Sequence, residues 1–304
     1  NWLKNLKILN SFNMSGTPCI CCMGVLFLKP IYCIRLKNIL IIAFALNLLC
    51  FCVCAASVSE PDGLKLYVLM YHQVSEKPSK YGNYVVSPAE LENDIKIILD
   101  EGYTPIFASE LLNYAENGAP LPEKPIMITF DDGYMSDYVY VLPLLKQYNV
   151  KANFALVGAL QDLYSSGINR HVDYAQSTWD EVREMEQSGL AEFLSHSYDM
   201  HNLKKRRGTL RTSAESHEIY TRIMEDDIEK NRQAFLKQLG HEPCAFVYPF
   251  GNCNDETKKI IESHFKMTFG VYEKPNYIKD ADDLYNLHRY NMVHNRNLKK
   301  ILGD

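Results

Sequence analysis

Beyond residue 54 this chain has only two cysteines, Cys244 and Cys253. The other seven of its nine, Cys19, Cys21, Cys22, Cys33, Cys50, Cys52 and Cys54, crowd the N-terminal stretch. A domain so poor in cysteine is not a disulfide scaffold and must rely on an apolar core. The Cys19-x-Cys21-Cys22 cluster lies in apolar surroundings and has no partner cluster, so it does not read as a zinc module. Positive charge is not in excess either. Lys and Arg total 32 against 37 Asp and Glu, a formal net charge of −5, which argues against a nucleic-acid partner. No internal repeat or low-complexity tract is present. What remains is a chain of 304 residues, 47% hydrophobic, with the composition of one large globular domain.

The N-terminal stretch departs from that composition. Ile39 to Ala56 is apolar except for Asn47, follows Arg35 and Lys37, and ends on the small residues Ala55, Ala56 and Ser57. A basic flank, an apolar core and a small-residue exit are the parts of a signal peptide. At eighteen residues the run is also long enough for a membrane anchor. The expected organisation is an upstream extension over 1–34, a signal peptide or anchor over 35–57, a linker over 58–64 and a single domain over 65–304. The domain is expected to work outside the cytoplasm, secreted or anchored at the membrane or cell wall, with membrane contact only through the uncleaved apolar segment. It is expected to be a monomer.

Two short patterns carry chemistry. The apolar run Pro125 to Phe130 reads as a buried strand and ends on Asp131-Asp132-Gly133. Gly133 can relax the backbone, so one carboxylate can bind a metal while its neighbour faces substrate. Taken singly, the same letters also fit a strand followed by an Asp-Gly turn, with Asp132 capping a helix near Met135. Gly189 to Ser195 reads as a second strand, with His196 at its end and His201 five positions on. That spacing is not a helical pair, so a loop must bring the rings together. Together the patterns offer an Asp-His-His ligand set for a divalent metal, an open position for water and one spare carboxylate for proton transfer.

At these residues the chain resembles the polysaccharide deacetylase family, also called the NodB-homology or family-four carbohydrate esterases. Thr129 to Gly133 is T-F-D-D-G, the first motif. His196-Ser197-Tyr198-Asp199-Met200-His201 is the longer form of the second, as in the branch acting on poly-N-acetylglucosamine. Val247-Tyr248-Pro249-Phe250-Gly251 matches the third, R-x-P-[YF]-G, with Val247 in the arginine's place. Met70-Tyr71-His72-Gln73-Val74 resembles the opening strand of that branch. The likeness runs from about Lys65 to Val293. It implies Asp131 as general base, and Asp132, His196 and His201 as ligands of one divalent ion, zinc with cobalt or nickel as alternatives. It also implies Tyr248, Pro249 and Phe250 along the groove, with the Phe250 N–H at the oxyanion. His72 is expected near the site without binding metal. The general acid of the last motif falls on His288, within Leu287-His288-Arg289-Tyr290. The implied substrate is an acetylated, N-acetylglucosamine-containing polysaccharide of the cell wall or an exopolysaccharide.

The remaining pattern alternates. Strand-like runs fall at Leu66–Tyr71, Tyr103–Ile106, Pro125–Phe130, Lys151–Val157, Leu190–Ser195, Cys244–Tyr248 and Lys266–Val271. Helix-like runs lie between them. One spans Pro88 to Glu101, with Ser87 and Glu90 as a capping box and Gly102 as its stop. Another starts at Thr178 with the same box, and a long charged one spans Ser213 to Leu239. Strands alternating with helices predict an α/β fold, a distorted or incomplete (β/α)7-type barrel, which is also the NodB-homology fold the resemblance implies. Cys244 and Cys253 flank the Tyr248 motif, and export would permit a disulfide between them. Three rival functions fit less of the sequence. A catalytically impaired carbohydrate-binding protein on the same fold would accommodate Val247, and an O-acetyl esterase would use the same site. A two-metal phosphoesterase would need further ligands that show no comparable spacing.

Overall fold

The computed structural model describes residues 62–202, 206 and 208–303. The upstream extension, the apolar segment and most of the linker expected from the sequence lie outside the described residues. Among the described residues no helix is long and apolar enough to cross a membrane.

The PIMITF run is a strand, β5 (Pro125–Phe130), with all six residues buried. A strand buried on both faces belongs inside a parallel sheet. Here β5 pairs in parallel with β1 (Leu64–Tyr71) on one side and β6 (Ala152–Leu156) on the other. The sheet continues in parallel through β7 (Ala191–Ser195), β8 (Phe246–Val247) and β9 (Thr268–Phe269). On the far side β10 (Asn276–Ile278) adds antiparallel to β1, while β11 (Tyr290–Asn291) and β4 (Thr104–Pro105) join β1 and β5 in parallel. The order β10-β1-β5-β6-β7-β8-β9 is not closed by a continuous ladder. An isolated bridge from Phe269 to Leu287 leads from β9 toward β11. The result is a distorted barrel, as the alternation of elements predicts. A small separate pair, β2 (Gln73–Val74) with β3 (Val85–Val86), sits beside it.

Side chains alternate across the sheet. Ile126, Ile128 and Phe130 of β5 face an outer core beneath the helices, together with Tyr71, Phe154 and Phe193. Met127 faces the barrel interior with Val68, Ala155, Leu194, Val247, Phe269 and Leu287. The outer face carries a ladder in register: Tyr71 opposite Phe130, Phe130 opposite Phe154, Phe154 opposite Phe193. Ring centroids are 5.2, 5.1 and 5.6 Å apart. Each such pair adds roughly 0.5–1.5 kcal/mol beyond its area burial. A slip of one residue would turn these rings to the interior and Asp131 outward, so the ladder fixes the level at which the site residues emerge.

Two of the covering helices start where the sequence signals them. Helix α1 (Pro88–Asp100) has the Ser87–Glu90 capping box, followed by α2 (Ala108–Asn117), α3 (Leu142–Tyr148) and α4 (Gly158–Ser165). Helix α5 (Trp179–Gln187) has the Thr178–Glu181 box. The long helix α6 (His217–Leu239) begins four residues later than the charge pattern suggests. Ser216 caps it, accepting from the Ile219 N–H, and Thr212–Glu215 forms a turn ahead of it. Helices α7 (Asp255–Ile261) and α8 (Leu298–Leu302) complete the set among the described residues. Cys244 and Cys253 are free thiols, so the disulfide that export would permit is not formed.

Candidate metal centre and catalytic pocket

The same alternation that puts Met127 in the barrel interior puts Thr129 and Asp131 there too. It likewise carries His196 to the side of Leu194, and His72 to the side of Val68 and Met70. All of these side chains leave the C-terminal ends of parallel strands, where the loops of such folds build sites. They meet in one cavity of about 600 Å³, whose wall includes Met70, His72, Tyr84, Asp131, Asp132, Tyr134, His196, His201 and Phe250.

Asp132, His196 and His201 come together, with one ligand atom from each within 4.8 Å of the others. Asp132 Oδ1 lies 3.5 Å from His196 Nε2 and 3.2 Å from His201 Nε2. His196 Nδ1 is 2.8 Å from the Val247 carbonyl, which can only accept, so Nδ1 carries the proton and Nε2 a lone pair. Burial, the largest influence on His196, pushes its pKa down to about 4, which leaves the ring neutral near pH 7. Asp132 Oδ1 is buried and has no hydrogen-bond donor. A carboxylate oxygen facing an imidazole lone pair without a donor between them is unfavourable unless a cation sits there. The donor set fits one divalent ion, and the Nδ1–carbonyl contact is the kind of outer partner that orients a ligating histidine.

Asp131 is held differently. Arg289, fully buried, donates from both terminal nitrogens to its two oxygens at 2.7 and 2.8 Å. The same guanidinium donates to the Gly270 carbonyl at 2.8 Å and to Thr129 Oγ1 at 3.2 Å. Burial pushes the Asp131 carboxyl up, but the Arg289 charge outweighs it and holds the group well below the usual carboxylate range. Asp131 is therefore ionised and fixed in orientation. Val247 occupies the place of the motif's arginine, and Arg289, from just before β11, supplies the guanidinium instead. Sequence reasoning missed it. The available signal was parity, since Arg289 shares its side of the chain with the buried Leu287.

That parity also corrects the placement of His288. It points away from the interior, edge-on to Tyr272 at 5.7 Å, and lines a separate surface hollow with Asn276 and Asn286. Tyr248 and Pro249 are corrected as well. Tyr248 is fully buried and packs at 5.4 Å on Phe246 in a cluster with Met200 and Tyr220, because β8 turns Val247, not Tyr248, inward. Pro249 is buried beside it and does not line the cavity. Phe250 does, with its ring 4.2 Å from His201. His72 also lines the cavity, 4.9 Å from Tyr84 and outside the three-ligand cluster.

The local backbone is bent to make this arrangement. Among the described residues, six other than glycine have positive φ; three are asparagines, and the others are Asp132 (74°), Ser197 (70°) and Phe250 (57°). A bulky Phe in this region is costly, and such residues persist where their surroundings over-determine them. Asp132 does form an Asp-Gly turn, so the turn and the candidate ligand are one feature.

Comparison with known proteins agrees with this geometry. Residues 118–267 match the family described as polysaccharide deacetylase. The poly-beta-1,6-N-acetyl-D-glucosamine N-deacetylase of Escherichia coli (strain K12) is 24% identical over 259 residues, covering 76% of this chain. The chain spans only 37% of that relative's length. A de-N-acetylase structure from Aggregatibacter actinomycetemcomitans superposes with a TM-score of 0.67 at 26% identity, over 79% of this chain and 99% of that one. The Streptococcus pyogenes deacetylase PplD, in complex with acetate, gives 0.64 at 25% identity, over 79% and 98%. His72 and Arg289 fall outside the matched family range, although both face the Asp131 site. Around this pocket the chain carries a polysaccharide deacetylase domain, matched over residues 118–267.

Proposed function

We propose that the chain is a metal-dependent hydrolase that removes N-acetyl groups from an N-acetylglucosamine-containing polysaccharide, outside the cytoplasm. The observation that carries this reading is the pairing, in one cavity, of an Arg-held carboxylate with an Asp-His-His cluster whose buried oxygen lacks a donor. A divalent ion held by Asp132, His196 and His201, zinc by preference, supplies Lewis-acid polarisation of the carbonyl and of water. Asp131 takes the proton of the attacking water, and Arg289 keeps that carboxylate charged and aimed. The Phe250 segment borders the face where the oxyanion forms. The departing amine needs a proton. His288 stands outside the cavity, so His72, the cavity imidazole outside the ligand set, is the donor.

The names of the relatives supply the substrate class: the Escherichia coli protein is a poly-beta-1,6-N-acetyl-D-glucosamine N-deacetylase. Acetate bound in the Streptococcus pyogenes structure is the acid product of such a reaction. The apolar run over 39–56, outside the described residues, supports export, and cell fractionation tests it. A binding-only role loses its main support, because Arg289 replaces the contact that Val247 cannot make. Acetate release from β-1,6-linked N-acetylglucosamine oligomers, with and without chelator, is the test. Release that is abolished by chelator and restored by zinc is expected. Release only from O-acetylated xylan, or none from any substrate, would overturn the reading.

A further inference from the structure

Helix α6 packs an apolar face against the sheet through Met224, Ile228 and Phe235. Two polar residues one turn apart interrupt that face, Asp227 at 6% exposure and Asn231 at 1%. Buried polar groups on an apolar face are costly unless satisfied. Both bond to one segment, Asn231 through Nδ2 alone, since its Oδ1 has no partner. Asp227 Oδ2 accepts the Tyr198 N–H and Oδ1 accepts the Asp199 N–H, each at 2.8 Å. Asn231 Nδ2 donates to Ser195 Oγ at 2.7 Å. Of these partners, Ser195 precedes His196, while Tyr198 and Asp199 lie between it and His201.

The segment is held from its other side by the start of α4. The Gly158 and Ala159 N–H groups donate to the Ser197 and Tyr198 carbonyls at 3.2 and 2.9 Å. Between these supports sits Ser197 with φ of 70°, a conformation that serine rarely adopts unaided. A carboxylate suits two adjacent N–H donors because it accepts at both oxygens. A carboxamide of the same shape would accept one and turn its own N–H₂ toward the other.

We propose that Asp227 is a positioning residue for the metal centre: its carboxylate locks the Ser197–Asp199 turn so that the Nε2 atoms of His196 and His201 converge on Asp132. This rests on the reading of those three residues as metal ligands. Asp227 touches neither metal nor substrate and acts only through the turn.

The test uses the full chain with Asp227→Asn, and with Asp226→Asn as a control that loses the same charge from the exposed side of α6. Zinc affinity is measured by competition with a chromogenic chelator, and thermal melting of the metal-free proteins reports folding. Asp227→Asn should raise the zinc dissociation constant by roughly 10–100-fold, the range for outer-shell changes. Asp226→Asn should leave it within about twofold, since an exposed, screened charge contributes little. A folded Asp227→Asn protein with unchanged zinc affinity, or one matched by the control, overturns the proposal. Amide hydrogen exchange on the metal-free native chain decides it even where the variant fails to fold. Protected Tyr198 and Asp199 amides are expected, and exchange at exposed-loop rates overturns it. A native chain that takes up no zinc would sink the metal reading, while the exchange measurement still judges the lock by itself.

Discussion

Replacing Arg289 with methionine keeps an unbranched apolar stem and removes every donor. The wild-type residue is fully buried and makes two charge-assisted bonds to Asp131, one to the Gly270 carbonyl and one to Thr129. Its loss strands a carboxylate that is itself only 3% exposed. Breaking a buried pair by removing one partner costs about 3–5 kcal/mol, because the uncompensated charge stays behind. For a domain of this size each kcal/mol moves the melting temperature by roughly 2–4 °C, so a drop of about 6–20 °C is expected. Removing the stranded charge as well should return much of it. Arg289→Met with Asp131→Asn should be more stable than Arg289→Met alone, a non-additive pair. Melting and urea denaturation in chelator, where no cation helps Asp131, measure both effects. A single variant that loses less than about 1 kcal/mol, or a double variant that loses the sum of the singles, would refute the reasoning. Acetate release should be lost in both.

The two neighbouring aspartates should separate. Asp131→Asn should keep metal by mass spectrometry and lose most turnover, whereas Asp132→Asn, His196→Ala and His201→Ala should lose both; a metal-free Asp131→Asn protein would contradict the division. Tyr84, 61% exposed on the cavity wall, is placed to meet a sugar ring. Tyr84→Ala should raise KM for oligomers about 2–10-fold with kcat nearly unchanged, from an aromatic contact of roughly 0.5–1.5 kcal/mol, and an unaltered KM would remove that role. Asp94, buried on α1, accepts the Tyr71 hydroxyl at 2.8 Å, and burial lifts its pKa from 3.8 to about 6. A raised folded-state pKa means the fold favours the protonated form, so stability is lost as pH rises from 4 through 6. Asp94→Asn keeps an acceptor without the charge. It should be more stable than wild type at pH 8, by on the order of 3 kcal/mol, with the gap closing near pH 4. Parallel pH-dependent unfolding curves would argue against this.

The parts legible in the sequence were those written locally. T-F-D-D-G and the paired histidines each sit within a few residues, and both capping boxes signal their helices from four consecutive letters. The strands absent from that pattern, β2, β3, β10 and β11, are two or three residues long, too short for any periodicity to register. Arg289 escaped for another reason. Its meaning lies in a partner 158 residues away, and no spacing rule joins them. The expected groove role of Tyr248 fails on parity, because a two-residue strand decides which of Val247 and Tyr248 turns inward. His288 drew attention as a titratable residue in a plausible tail motif, while the residue beside it had the side chain that reaches the site.

The long reach of the Arg289–Asp131 pair bears on how the protein matures. During synthesis β5 leaves the ribosome well before residue 289 is made, and domains fold largely as their chain becomes available. Until the β11 region docks beside β1, Asp131 faces the barrel interior as a carboxylate without its counter-charge. Contacts of such high sequence separation form late and slowly. A chain in which the β11 region has not docked therefore lacks an oriented base even where Asp132, His196 and His201 are already present. Under the proposed function, competence to cleave arrives with one of the final segments of the described fold, which makes activity a sensitive reporter of whether folding has gone to completion.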